Sequence, residues 1–306
     1  MHEKSFNRVL VFGEVLFDTF PDQSRVIGGA PFNVARHLQG LGLDPFFVSR
    51  VGKDESGEEV REQMQRWGMN THGLQADQDR STGMVLVRFQ GDEPYYEIRK
   101  EVAFDYIELD SFHEGTFEGR TLFYHGTLAA RSETSARTLY ALAQIKDQEV
   151  FCDINLRDPW WSRDLVRDIL SWSTYLKVNL EELEEVAATL EVREDSLQAR
   201  ARMVQKVCGL KCLVLTMGSE GAMLFPEERE HLFAAAPAVS SFKDAVGAGD
   251  SFSAVFLLGL SRGWSWDMIL QRAVRIAAEV CSIKGAVPEE RGFYGKFTNR
   301  LMDRGN

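Results

Sequence analysis

Cysteine is scarce in this sequence: four residues among 306, with neither CxxC spacing nor neighbouring histidines. That pattern disfavours both a structural zinc site and a secreted disulfide scaffold, so reduced, buried thiols are expected. The six histidines are scattered without an HExxH motif or any paired spacing, and each is interpreted as structural. No catalytic metal held by histidine is therefore predicted.

Long apolar runs and excess positive charge are also missing. The first apolar run, residues 9–12, is far shorter than a signal-peptide core or a membrane span of ~20 residues. The formal net charge is −11 and the pI is near 5.2, whereas nucleic acids and anionic membranes attract basic surfaces. A cytoplasmic protein is expected, with neither nucleic acid nor membrane as a partner.

Short apolar runs alternate with helical stretches along most of the chain. The predicted strands are residues 8–13, 45–51, 120–125, 149–153, 174–178 and 212–216, and the predicted helices are 32–41, 56–67, 133–145, 181–190 and 196–208. This alternation is typical of a parallel sheet and predicts an α/β fold. In segments 14–26 and 83–99 short runs alternate without helices, which predicts a small inserted lid of antiparallel strands. Residues 1–13, 27–82 and 100–306 would form the core domain.

The most informative segment is residues 243–255, where a Gly-Ala-Gly-Asp turn runs directly into an apolar helical stretch. Gly247 and Gly249 permit a tight turn, and a helix N-terminus adds the equivalent of about half a positive charge. The turn therefore predicts an anion site, with Asp250 beside it as candidate general base in phosphoryl transfer. The alternative is an ordinary turn with Asp250 as a helix cap, and the loop alone leaves both interpretations open.

Five further motifs, in order along the chain, resemble signatures of the ribokinase/PfkB carbohydrate kinase family, and bacterial fructokinase is closest in pattern. They are the segments 28–35, 51–57, 216–221 and 285–286 and the pair Asn179 and Glu182. No GxxxxGK[ST] loop occurs, and the glycine turn lacks the third glycine and the N-terminal position of a dinucleotide fingerprint. The resemblance implies a ribokinase-like three-layer α/β/α core with a mostly parallel sheet. It also implies ATP-dependent phosphorylation of a sugar hydroxyl, with fructose as the favoured sugar and fructose 6-phosphate as product.

The resemblance also assigns roles to individual residues. It implies that Asp250 is the base and that the amides of Ala248, Gly249 and Asp250, in the turn starting at Gly247, bind the transferred phosphoryl group. Candidate sugar contacts are Asp18, Gly29, Asn33 and Arg157, joined by Arg99 in the lid. Candidate ATP contacts are Asn179, Thr216, Gly218, Gly221, Asp244 and Gly249. Glu182 would reach Mg²⁺ through water, and potassium near Asp244 is a further candidate cation.

Some of these residues have simpler interpretations when the family is set aside. The acidic run around Glu182 is then a solvated helix face, and Arg157 is a surface arginine. The sequence also departs from the family pattern at Ala245 and Val255. At Val274, relatives often carry an asparagine that approaches adenine, so the adenine contacts are not predicted.

Several other functions stay open at this level. The nearest is 2-keto-3-deoxygluconate kinase, whose acid substrate Arg99 could pair, although Glu97 in the same segment would repel it. Ribokinase and nucleoside kinase activities are less favoured, and a sugar sensor without catalysis is the alternative from another class. The lid strands would expose their edges, so a homodimer joined through the lids is expected.

Overall fold

The secondary structure comes from a computed structural model, which describes residues 6–90, 93–109, 119–239, 241–295 and 297, without the side chains of 89, 90, 93 and 94. The strands are β1 (Arg8–Phe12), β2 (Leu16–Thr19), β3 (Arg25–Gly28), β4 (Phe46–Gly52), β5 (Leu74–Asp77), β6 (Gly83–Gln90), β7 (Glu93–Ile98), β8 (Thr121–His125), β9 (Gln148–Asp153), β10 (Tyr175–Asn179), β11 (Cys212–Thr216), β12 (Ala222–Pro226) and β13 (Leu232–Ala234). The helices are α1 (Ala30–Gly40), α2 (Glu55–Arg66), α3 (Glu133–Ala143), α4 (Arg163–Trp172), α5 (Leu180–Thr189), α6 (Leu197–Val207), α7 (Ala248–Arg262) and α8 (Trp266–Val280).

A nine-stranded central sheet runs in the order β13-β12-β11-β10-β9-β8-β1-β4-β5. The strands from β11 to β5 pair in parallel, and β12 and β13 add an antiparallel edge. The predicted α/β fold with a mostly parallel sheet is therefore confirmed. Strands β5, β12 and β13 and helices α4 and α8 were not predicted from the sequence.

Alternating side chains of each central strand pack against helices on the two faces of the sheet. In β1, Val9 and Val11 join a cluster that contains buried residues of α1, α2, α7 and α8. Leu10 and Phe12 point to the opposite face, where α3 packs, and α4, α5 and α6 cover the neighbouring strands there. Each fully buried side chain of this size contributes about 1.5–3 kcal/mol, so both layers are held mainly by apolar burial.

A second, four-stranded sheet has the order β3-β2-β6-β7. Its outer pairs are antiparallel, as the sequence predicts, but β2 pairs with β6 in parallel, which corrects the expectation of antiparallel strands throughout. The parallel pair is possible because the intervening chain, residues 20–82, is long enough to return to the same end of the sheet. Arg25 of β3 ties this sheet to α2 through Glu59, with Nη2 and Oε2 2.7 Å apart.

No helix within the described residues is long and apolar enough to cross a bilayer. The longest, α7 and α8, have 15 residues each.

Candidate active site

The candidate anion site lies at the start of α7, where two backbone constraints require glycine at position 247. Gly247 has φ 80°, a left-handed conformation that side chains disfavour. A Cβ at this position would also lie 2.1 Å from the carbonyl oxygen of Ala286. His37 fixes that carbonyl, its Nε2 donating over 3.0 Å, so the turn is held from behind.

The first turn of α7 leaves backbone amides available to a ligand. The amide of Ser251 donates to the Gly247 carbonyl over 2.8 Å, and that of Ala248 makes a longer bond of 3.3 Å to Ala245. Gly249 and Asp250 follow in the first turn, where amides have no carbonyl acceptor within their own helix. These two amides, together with the positive end of the helix dipole, form an arrangement suited to a phosphoryl group.

Asp250 receives a hydrogen bond from a neighbouring helix. Asn33 of α1 donates from Nδ2 to Asp250 Oδ2 over 2.8 Å, while Asn33 Oδ1 is buried and has no partner within the described residues. Burial raises the pKa of Asp250 to about 6, the hydrogen bond from Asn33 opposing the rise. Asp250 is therefore a base with a pKa near neutrality, and the neighbouring Asn33 Oδ1 is placed to accept a hydrogen bond from a ligand hydroxyl.

Two carboxylates and one arginine interact electrostatically around Asp250. Burial raises the pKa of Glu14 to about 7 and that of Asp18 to about 6, while the positive charge of Arg157 opposes both rises. Glu14 is almost fully buried, and its Oε2 has no hydrogen-bond partner in the described part of the chain. Arg157 is exposed, but its charge also acts on Asp250. The structure thus brings Asp18, Arg157 and Asp250 into one neighbourhood.

The backbone at Gly29 brings Asn33 into this neighbourhood. Gly29 caps α1 with φ 102°, and a Cβ there would lie 2.6 Å from the Glu14 carbonyl oxygen. Only glycine therefore allows the first turn of α1 to lie this close to the residues that follow β1. The Gly29 carbonyl accepts the amide of Asn33 over 2.9 Å, which fixes the position of Asn33 in that turn.

Asn179 and Glu182 form a reciprocal cap at the start of α5. Each side chain accepts the other residue's backbone amide over 2.9 Å, and Glu182 Oε1 also accepts the amide of Leu156 over 3.1 Å. Glu182 is buried, whereas the other three glutamates of the run are exposed. The interpretation of the run as a solvated helix face is therefore wrong for Glu182.

Magnesium fits this site only as an ion held by phosphate and water. The described residues include no cluster of three or more His, Cys, Asp or Glu side chains that could hold a metal. Both Glu182 oxygens already accept backbone amides, which favours contact with the ion through a water of its hydration shell over direct coordination. Mg²⁺ usually keeps several waters and binds substrate phosphates, which matches this donor set.

The other predicted ATP contacts lie around the ends of β11 and the 243–250 loop. Thr216 ends β11, and Gly218 and Gly221 follow it with φ values of 55° and 115°. Asp244 Oδ1 accepts the amide of Val246 over 3.0 Å, which shapes the approach to the glycine turn. Val274, the departure from the family pattern, is buried in the core on α8.

Arg99 is placed differently from the other predicted sugar contacts. Its side chain is exposed, and its hydrogen bonds in the described part of the structure involve only its backbone: the Arg99 amide donates to the Met84 carbonyl, and the Arg99 carbonyl accepts from Arg131 Nη2. The structure therefore gives Arg99 no contact with Asp18, Asn33 or Asp250.

Sequence reasoning did not assign roles to Glu14, Asp153 or Lys177. Asp153 and Lys177 are paired neighbours on β9 and β10, with the Lys177 Nζ 2.7 and 2.8 Å from the two carboxylate oxygens. A lysine inside the buried run of residues 175–178 is the signal that could have identified the pair, because an unpaired charge is rarely buried.

Comparison with known proteins gives one consistent result. The family model for pfkB family carbohydrate kinases matches residues 8–290. The Escherichia coli protein named fructokinase is 28% identical over 300 residues, 92% of this chain and 95% of that protein, and the aminoimidazole riboside kinase of Salmonella typhimurium is 25% identical, covering 91% and 88%.

Solved structures show the same fold. The Vibrio cholerae fructokinase, with fructose, ADP and calcium ion bound, matches with TM-score 0.80 and 24% identity over 95% of this chain and 99% of that one. The Salmonella enterica aminoimidazole riboside kinase, complexed with its riboside and an ATP analogue, matches with TM-score 0.79 and 23% identity over 95% and 100%. At these identities the structural likeness concerns the three-layer fold.

Proposed function

The chain belongs to the pfkB carbohydrate kinase family, and on that premise we propose that it phosphorylates fructose to fructose 6-phosphate, with Asp250 as general base. It is an ATP-dependent carbohydrate kinase. The observation that carries the proposal is the contact of Asn33 with Asp250, 2.8 Å, at the N-terminus of α7. The relatives named fructokinase support the choice of sugar.

In the proposed reaction, Asp250 accepts the proton of the C6 hydroxyl of fructose as the oxygen of that hydroxyl attacks the γ-phosphorus of ATP. The bond from that phosphorus to the bridging oxygen breaks, and ADP leaves. The amides of Gly249 and Asp250 and the dipole of α7 stabilise the charge on the transferred group. Asn33 orients the base through Nδ2 and can accept a second sugar hydroxyl at Oδ1, while Asp18 and Arg157 hold further hydroxyls.

For the cations, we propose Mg²⁺ on the ATP phosphates with Glu182 reaching one of its waters. When bound, the ion neutralises charge on the phosphates. Potassium near Asp244 is a second proposal. Turnover that persists in excess EDTA would contradict the first, and equal turnover in potassium and in a bulky organic cation would contradict the second.

A panel of sugars tests the choice of substrate. We expect ADP release from Mg-ATP, with potassium present, to be at least tenfold faster with fructose than with ribose, adenosine, aminoimidazole riboside, tagatose, fructose 6-phosphate or 2-keto-3-deoxygluconate. A preference for the keto acid would overturn fructose and assign Arg157 and Arg99 to its carboxylate. The absence of ADP release with every sugar would contradict the kinase activity itself.

The pH dependence of turnover follows from the pKa of Asp250. Only its carboxylate form accepts a proton, and burial raises its pKa to about 6 in the unliganded enzyme, so kcat/KM for the sugar should be constant above that pH and fall below it. Glu14→Gln is the control, because Glu14 has a pKa of about 7 in the same neighbourhood. If activity falls only near pH 4, or if the fall at low pH disappears in Glu14→Gln, the assignment of this ionisation to Asp250 is contradicted.

We propose that the small sheet is a lid over the sugar and that two lids join in a homodimer. Its outer strands β3 and β7 carry exposed apolar side chains, Val26, Tyr95 and Tyr96, which are 49%, 53% and 57% accessible. Covering these strands with a second copy would protect their edges. Light scattering after size exclusion should give twice the chain mass, and a monomer at micromolar concentration would exclude the dimer.

We further propose a cytoplasmic location. The four cysteines are all free thiols, as a reducing compartment would keep them. Recovery of the enzyme in an oxidising compartment after cell fractionation would contradict this location.

A further inference from the structure

A buried ion pair lies under the candidate anion site, and the reaction described above does not use it. Lys177 and Asp153 are directly paired across β9 and β10, and both side chains are almost fully buried. The ammonium contacts both carboxylate oxygens, at 2.8 and 2.7 Å. Burial lowers the pKa of Lys177 but the Asp153 carboxylate more than offsets this, so the pKa ends above its usual value and the lysine is charged.

The pair is tied to α7, the helix that begins at the glycine turn. Ser253 of α7 donates from Oγ to Asp153 Oδ2 over 2.8 Å, and the hydroxyl of Tyr124 donates to the same oxygen over 3.3 Å. The Lys177 Nζ lies 3.3 Å from the position that a Cβ on Gly249 would occupy. The ammonium is therefore next to the backbone that would hold the phosphoryl group.

We propose that Lys177 is a positioning residue for phosphoryl transfer: held in place by Asp153, its ammonium lies beneath Gly249 and stabilises negative charge on the transferred group and on Asp250. The inference rests on the proposed roles of Asp250 and the glycine turn. The position of Lys177 also explains why residue 249 is glycine, because a side chain there would contact the ammonium at the base of the site.

Electrostatics gives this arrangement an effect that a purely structural pair would not have. A buried charge acts over several ångströms because little water screens it. Lys177 lowers the pKa of Asp250, and Asp153 raises it. The charged and titratable groups that act on Asp250 from the surrounding elements are Glu14 after β1, Tyr124 of β8, Asp153 of β9, Arg157 after β9 and Lys177 of β10.

Three variants and one control test the proposal. Lys177→Met removes the ammonium and Asp153→Asn its partner's charge. The double variant removes both charges and avoids leaving one buried charge alone, which would destabilise the fold. Lys211→Met is the matched control, because Lys211 also pairs with a partly buried carboxylate, Glu149 Oε1 at 2.9 Å, beside the same sheet.

The first readout needs no substrate. NMR of ¹³C-labelled aspartate carboxyls follows the titration of Asp250, whose signal is identified as the one that disappears in Asp250→Asn. The midpoint of this titration should move to higher pH in Lys177→Met and to lower pH in Asp153→Asn. The double variant should lie between them, and Lys211→Met should match wild type. Shifts in the same direction, or none, in variants that melt cooperatively would overturn the proposal.

The second readout is turnover with Mg-ATP and fructose. Lys177→Met should lower kcat at least about tenfold while the KM for sugar changes less than threefold, because a group beneath the phosphoryl site acts on the transition state. Unchanged kcat would overturn the positioning role. Wild-type protein inactive on every sugar would instead refute the proposed function, and the titration would still decide whether the pair acts on Asp250.

Discussion

Asp250→Asn should reduce kcat at least ~10²-fold and leave sugar affinity within a few-fold of wild type. The amide keeps the size of the carboxylate and can still accept the hydrogen bond from Asn33 Nδ2, which spans 2.8 Å. What it loses is the ability to take the proton of the attacking hydroxyl. Steady-state ADP release and calorimetric titration with fructose measure the two quantities separately.

The control for this variant is Asp267→Asn. Asp267 is also an acidic residue in the first turn of a helix, α8, but its partner is Arg229, 3.0 Å away. Turnover of Asp267→Asn should equal that of wild type. If Asp250→Asn retains normal kcat, or if both variants lose activity equally, Asp250 is not the base.

Gly247→Ala should lose both turnover and stability. Alanine at the φ of 80° that Gly247 adopts would destabilise the fold by about 1–2 kcal/mol. The new Cβ would also collide with the Ala286 carbonyl, which adds about 1–3 kcal/mol of overpacking strain. Relief of that collision must move the first turn of α7 away from the phosphoryl group. Removal of a hydrogen-bond donor that stabilises charge in a transition state lowers kcat about 10²–10³-fold, and we expect a decrease in kcat of that order.

Gly263→Ala separates the two effects within the same helix. Gly263 ends α7 with φ 66°, but a Cβ there has no atom within 4 Å. Denaturant unfolding should show a loss of about 1–2 kcal/mol, with kcat unchanged. Equal turnover of the Gly247 and Gly263 variants would contradict the role of the turn in holding phosphate.

The sequence predicted the core of the fold because its signals are local. The apolar run of β1 and the amphipathic stretch of α2 carry their periodicity within a few residues. Strands β5 and β13 have four and three residues, too few to establish a period. The parallel pairing of β2 with β6 depends on where the chain goes between them, which no local pattern records.

The candidate site was predictable where a motif keeps its residues together. Asp250 follows its glycine turn directly, and Asn179 lies three residues from Glu182. The Asp153–Lys177 pair arises from strand register, and Gly249, the neighbour of Lys177, follows that lysine by 72 residues, so only folding brings them together. Burial of Glu182 likewise depends on Leu156, whose amide its carboxylate accepts.

The most direct test of the account is a crystal structure with ADP, aluminium fluoride and fructose bound. We expect a carboxylate oxygen of Asp250 within about 2.6–3.2 Å of the C6 hydroxyl of fructose, and fluoride contacted by the amides of Gly249 and Asp250. A C6 hydroxyl that faces away from Asp250, or fluoride bound away from the first turn of α7, would contradict the central claim.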